Sequence, residues 1–107
     1  MSSISSLIST HRPNLEPYED LYRHFHKNPE LSNQEKETSA KVISHLQSIS
    51  SSFDIRPNIG GYSLAAILSN GKGPTILLRA DFDALPVQER TGLEYASKKR
   101  MPDADGV

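Results

Sequence analysis

The chain has no cysteine, so it has no disulfide framework and no thiolate to serve as ligand or nucleophile. It has no excess of either charge. Its 12 Lys and Arg stand against 13 Asp and Glu, a net charge of -1, and no basic patch interleaves with aromatics. That balance points away from nucleic acid and from an anionic membrane surface as partners. No apolar run is long enough to cross a bilayer. Hydrophobic residues are scarce, at 36% of 107 residues with a mean hydropathy of -0.51, enough for one small domain with a thin core. The opening MSSISSLISTHRPN is Ser-rich and without acids, but a secretory signal needs a longer apolar centre and a transit peptide more arginine than Arg12 alone. Residues 1–14 therefore read as a disordered start to a cytoplasmic protein.

What is present centres on TILLRADFDALP, residues 75–86. Its first four residues are apolar and partly β-branched, as in a strand covered on both faces. Polarity then begins abruptly with Arg79, Asp81 and Asp83, and Pro86 ends the run by fixing φ and removing a donor. Ligands of open α/β sheets sit just beyond the carboxyl ends of strands, where two carboxylates suit a divalent cation or a general base. Residues i and i+2 of a strand point the same way, so Asp81 and Asp83 favour a cation between or beside them. Without one, repulsion raises a pKa. The bland alternative is a turn, since Asp favours turns.

Before this stretch the pattern is helical. Tyr18, Leu21, Tyr22 and Phe25 fall on one face of a helix expected over residues 16–27, punctuated by Pro13, Pro17 and Asn28-Pro29. A second helix is expected over residues 33–48, opened by a Ser32/Glu35 capping box, with Val42, Ile43, Leu46 and Ile49 as its buried stripe. Strands follow at residues 53–57, an edge because of Pro57, at 62–68, and at 75–79. Ser69 to Pro74 is a turn signal that would join the last two as a hairpin, and Gly60-Gly61 permits a further turn. The fold class is α/β, two helices then three strands, with exposed sheet edges and little independent stability. After Pro86 the pattern dissolves, and residues 101–107 are polar and rich in Asp and Gly.

Other chemistry is weaker. His24 and His26 lie two apart on a helix and point to nearly opposite sides, so they read as surface residues rather than a chelating pair. His11 falls in the tail and His45 at the rim of the second helix. Arg79 is placed to pair with a carboxylate or to cap the strand. Strand-D-x-D also opens phosphoryl transfer, as in haloacid-dehalogenase-type phosphatases. Those carry Thr or Val four residues after the first Asp, where this chain has Leu85, and their motif opens the domain, whereas here it comes late.

Two segments together bear a resemblance to a family. RHFHKNPELSNQEKET spans residues 23–38 and GPTILLRADFDALPVQERTGLEYAS spans residues 73–97. The matching positions are Arg23, His26, Pro29-Glu30-Leu31-Ser32, Glu35, Thr38, Gly73-Pro74, Arg79-Ala80-Asp81, Asp83-Ala84-Leu85-Pro86, Glu89 and Thr91-Gly92. In order and spacing the chain resembles, over about residues 18–97, the N-terminal part of the zinc- or manganese-dependent amidohydrolases and metallopeptidases related to aminoacylases and carboxypeptidases (peptidase family M-twenty). The branch it is most similar to hydrolyses N-acyl-amino-acid, hippurate and auxin conjugates.

The resemblance implies a zinc-peptidase-like catalytic domain, partial over residues 15–107, with no complete second domain. It implies hydrolysis of the amide bond of an N-acyl amino acid or peptide-like substrate by two divalent metals, zinc or manganese, that polarise the carbonyl and activate water, with a glutamate as general base. The wider family carries His-x-Asp at this strand end. By resemblance Asp83 maps onto the orienting carboxylate and Asp81 replaces the histidine ligand, in a branch that moves a ligand to a cysteine. The Cys- and His-bearing H-A-C-G-H-D segment, the later Glu pair and the distal His ligands are not in these residues. The chain thus reads as a fragment that holds no metal stably and is inactive alone, or as a non-catalytic piece that associates with a full-length relative. Homo-oligomers belong to those relatives.

Overall fold

The structure is a computed structural model that describes residues 3–102. It contains three helices and one two-stranded sheet. The first helix, α1 (Ile4–His11), lies in the stretch expected to be a disordered tail. Ser3 caps it by accepting the Ser6 amide at 3.1 Å. No residue of α1 is buried. The local cap and apolar spacing make the helix.

The next helix, α2 (Glu16–Lys27), has the bounds expected from its periodicity. Asn14 accepts the Glu16 amide at 3.2 Å, and Pro17 stands in the first turn, where its missing donor costs nothing. Glu16 and Glu19 in the first turn and His24, His26 and Lys27 in the last complement the helix dipole. Leu21, Phe25 and His26 are half-buried, whereas Tyr18 and Tyr22 of the expected stripe are exposed.

The third helix, α3 (Lys36–Ile49), begins three residues later than expected and without the capping box. Glu35 instead accepts the Asn33 amide at 2.8 Å, and Asn33 sits at φ 65°. The amides at the start of α3 go to Glu30, whose carboxylate accepts from Glu37 at 3.2 Å and from Thr38 at 2.5 Å. The buried residues of α3 are Thr38 and Ser39; Val42, Ile43 and Leu46 are half-buried and Ile49 is exposed.

Strands β1 (Asp54–Ile59) and β2 (Ser63–Ile67) pair antiparallel, with Asp54 opposite Ile67 and Arg56 opposite Ala65. The hairpin therefore turns at Gly60-Gly61, both at positive φ, and not at residues 69–74. The ladder is irregular between Arg56 and Ile59, the interval holding Pro57, which has no amide to donate, and Asn58 at φ 59°.

The third strand expected at residues 75–79 is not formed. Ile76, Leu77 and Leu78 are 85, 88 and 91% exposed. An apolar run becomes a strand only against a neighbour that takes its hydrogen bonds and covers its side chains, and no described strand lies beside this one. The one pairing this stretch reaches comes later, an isolated parallel bridge between Leu31 and Ala84.

Among the described residues no hydrophobic side chain is buried. The accessible area is 9336 Å², where a folded monomer of 11.9 kDa exposes about 5,900 Å². The radius of gyration is 17.2 Å, against about 13 Å for a compact domain of this length.

Candidate functional site

The two aspartates follow the exposed apolar run, and both are exposed. What locates them is the Pro29-Glu30-Leu31-Ser32 loop, some fifty residues earlier in the chain. The Ala84 amide donates to the Glu30 carbonyl at 2.8 Å, and Leu31 pairs with Ala84. Ser32 donates its hydroxyl to the Asp83 carboxylate. Glu30 is 4% exposed. Burial works to raise its pKa, but hydrogen bonds from the side chain and amide of Thr38 and from the Glu37 amide, with the charge of Lys99, leave it below the ordinary value. The same residue thus holds the start of α3 with its carboxylate and the Asp83-Ala84 segment with its carbonyl. Gln34 extends the arrangement by donating to the Pro102 carbonyl at 2.9 Å.

The Asp83 pKa is lowered, chiefly by the Ser32 hydroxyl and next by the Asp81 side chain. The rise that repulsion between the aspartates was expected to produce does not appear at Asp83, where the donor from a distant loop is the largest cause and works downward. Among the described residues Arg79 makes no ion pair.

A second polar cluster ties α2 to the segment after Pro86. The Glu89 carboxylate lies 2.9 Å from His26 Nε2, accepts the Thr91 hydroxyl at 2.5 Å and accepts the Ser97 amide at 2.8 Å. The Thr91 and His26 contacts, with the Ser97 amide, lower the Glu89 pKa to about 2. Tyr95 stands edge-on to His26 at 5.1 Å and to Tyr22 at 6.3 Å. His26 is thus a linking residue rather than a surface one. His24 is exposed against Phe25, and His45 is half-buried against Tyr18 at 5.6 Å with its Nε2 unpartnered.

Sequence reasoning assigned no role to Glu30 or Glu89, and it placed Ser32 on the wrong partner. The available signal was Glu-x-Thr around residues 89–91 beside a glycine, a local side-chain-to-backbone pattern. Glu30 was marked only by its place in the Pro29-Glu30-Leu31-Ser32 segment that carries the resemblance.

The described residues do not fit a metal by themselves. No three His, Asp or Glu side chains among them converge to hold an ion. Asp81 and Asp83 are two carboxylates without a third donor among the described residues.

Comparison with known proteins bears on the motifs. The putative amidohydrolase YhaA of Bacillus subtilis is 49% identical over 80 residues, 74% of this chain and 20% of that protein. The N-acetyl-L-cysteine deacetylase of the same organism is 46% identical over 81 residues, 75% of the chain and 19% of that enzyme. The N-acyl-L-amino acid amidohydrolase of Geobacillus stearothermophilus is 41% identical over 76 residues, 71% of the chain and 20% of that enzyme. The chain spans about a fifth of the length of these relatives. No family model matches, and no solved structure matches. Two motifs in order, and identities of 41 to 49% across most of the chain, make it a member of the family of amidohydrolases and deacetylases related to aminoacylases and carboxypeptidases.

Proposed function

We propose that the chain is the opening part of the catalytic domain of a metal-dependent amidohydrolase that cleaves the amide bond of N-acyl amino acids or related conjugates in the cytoplasm. In this reading the whole protein takes two divalent metals, zinc or manganese. Asp83 is the orienting carboxylate and Asp81 stands in a ligand position. The observation that carries the reading is the placement of Asp83: the family's two motifs meet in space, with Ser32 donating to Asp83 and Ala84 donating to Glu30. The names of the relatives support amide hydrolysis over the phosphatase alternative. Sequencing the transcript beyond the codon for Val107 tests it. An in-frame His-x-Cys-Gly-His-Asp segment is the expected result, and a genuine stop overturns the reading for this gene product.

The 107 residues alone do not catalyse the reaction, because two aspartates fall short of the usual ligand count of a zinc site. The purified chain is expected to release no amino acid from N-acetylated substrates. Amidase activity that a chelator abolishes would overturn this.

A second reading is favoured by the exposure of Ile76, Leu77 and Leu78. An uncovered apolar segment with open backbone groups favours association, here with a full-length relative. A monomeric, well-dispersed chain that ignores that relative in sedimentation would sink it.

A further inference from the structure

We infer that Ser32 is a positioning residue for Asp83: its hydroxyl sets the direction in which the Asp83 carboxylate faces. The functional meaning of this rests on the reading of Asp83 as the orienting carboxylate. The geometry stands independently of it.

The contact joins residues 51 apart in sequence, so no local turn preference explains it. The backbone on both sides is already in register. Leu31 bridges Ala84, and the Ala84 amide reaches the Glu30 carbonyl at 2.8 Å. The platform carrying Ser32 is anchored in turn, because the buried Glu30 carboxylate takes two amides of α3. Glu30 does the capping that Ser32 would otherwise do, which leaves the serine hydroxyl free to donate elsewhere. A hydroxyl has one proton to give, and an ionised carboxylate accepts it strongly. Ser32 engages Oδ2 of that carboxylate. A hydrogen bond to a charged acceptor biases the side-chain rotamers of Asp83 by about tenfold.

The test reads the Asp83 χ1 rotamer by three-bond scalar couplings in the full 107-residue chain, and Ala84 amide exchange beside it. The expected wild-type result is unequal couplings from one dominant rotamer and a protected Ala84 amide. In Ser32→Ala the couplings average while Ala84 protection stays. In Ser32→Thr, which keeps the hydroxyl, the single rotamer returns. Averaged couplings in the wild type, or unchanged couplings in Ser32→Ala, overturn the inference. Loss of Ala84 protection in Ser32→Ala also overturns it, since the serine would then merely hold the loop together. Glu30→Gln serves as a second variant that weakens the platform, and it is expected to lower Ala84 protection and average the rotamer together. The measurement involves neither metal nor substrate, so its failure leaves the amidohydrolase reading standing. A stop after Val107 would leave the rotamer result standing.

Discussion

Three carboxylates carry the long-range order of this chain, and all three have pKa values below the ordinary range. Glu89 is the clearest, lowered from 4.5 to about 2 by Thr91, His26 and the Ser97 amide. The unfolded chain binds this proton at higher pH than the folded one. The contribution of Glu89 is therefore fully present above pH 4.5 and is lost as pH falls towards 2. Glu30 and Asp83 act in the same direction. Urea midpoints measured at falling pH should drop across this window in the wild type. In Glu89→Gln the drop should be shallower, because the group that titrates is gone. An identical slope in the variant would mean that the α2 link is not held by this carboxylate.

At the scale of elements, the segments differ in what holds them. The α2 helix has its proline, acidic first turn and basic last turn within its own sequence, and it forms where its pattern says. The α1 helix is eight residues long with no residue buried, below the length at which an isolated helix is stable in water. Residues 75–79 have strand composition and no strand. A single charge there should be tolerated by the fold and should blunt association. Leu77→Lys is expected to leave the far-ultraviolet circular dichroism unchanged while lowering the sedimentation-average mass at high concentration. A variant that associates as strongly as the wild type would show that this run is not the contact.

For the whole molecule, the large area and the large radius of gyration have one cause: no apolar side chain among the described residues is buried. Cooperative unfolding and its heat-capacity change both come from apolar burial. The isolated chain should therefore unfold with a small heat-capacity change on heating. A change of the size usual for a domain of 107 residues, about 1.4 kcal/mol/K, would contradict this. The polar links at Glu30 and Glu89 orient the elements, but they cannot replace a core. A net hydrogen bond is worth about 1 kcal/mol, against chain entropy on the order of 100 kcal/mol that a domain of this length must overcome.

The sequence by itself determined α2 to the residue, because its periodicity, prolines and end charges are local. It determined β1, β2 and the freedom of Gly60-Gly61 to turn for the same reason. It also determined the family, because the two motifs recur in order and spacing. Only the tertiary structure decided the rest. Ser32 and Glu35 have the spacing of a capping box, yet Glu30 takes the cap. A buried carboxylate satisfies two amides together, and that could not be known before the loop was placed. Residues 75–79 have the composition of a strand, yet they lack one. Composition describes what a segment can pair with, and only the presence of a neighbour decides whether it pairs. The meeting of Ser32 with Asp83 and of His26 with Glu89 joins side chains 51 and 63 positions apart. Such contacts have no periodicity to announce them, and the path of the chain in space creates them.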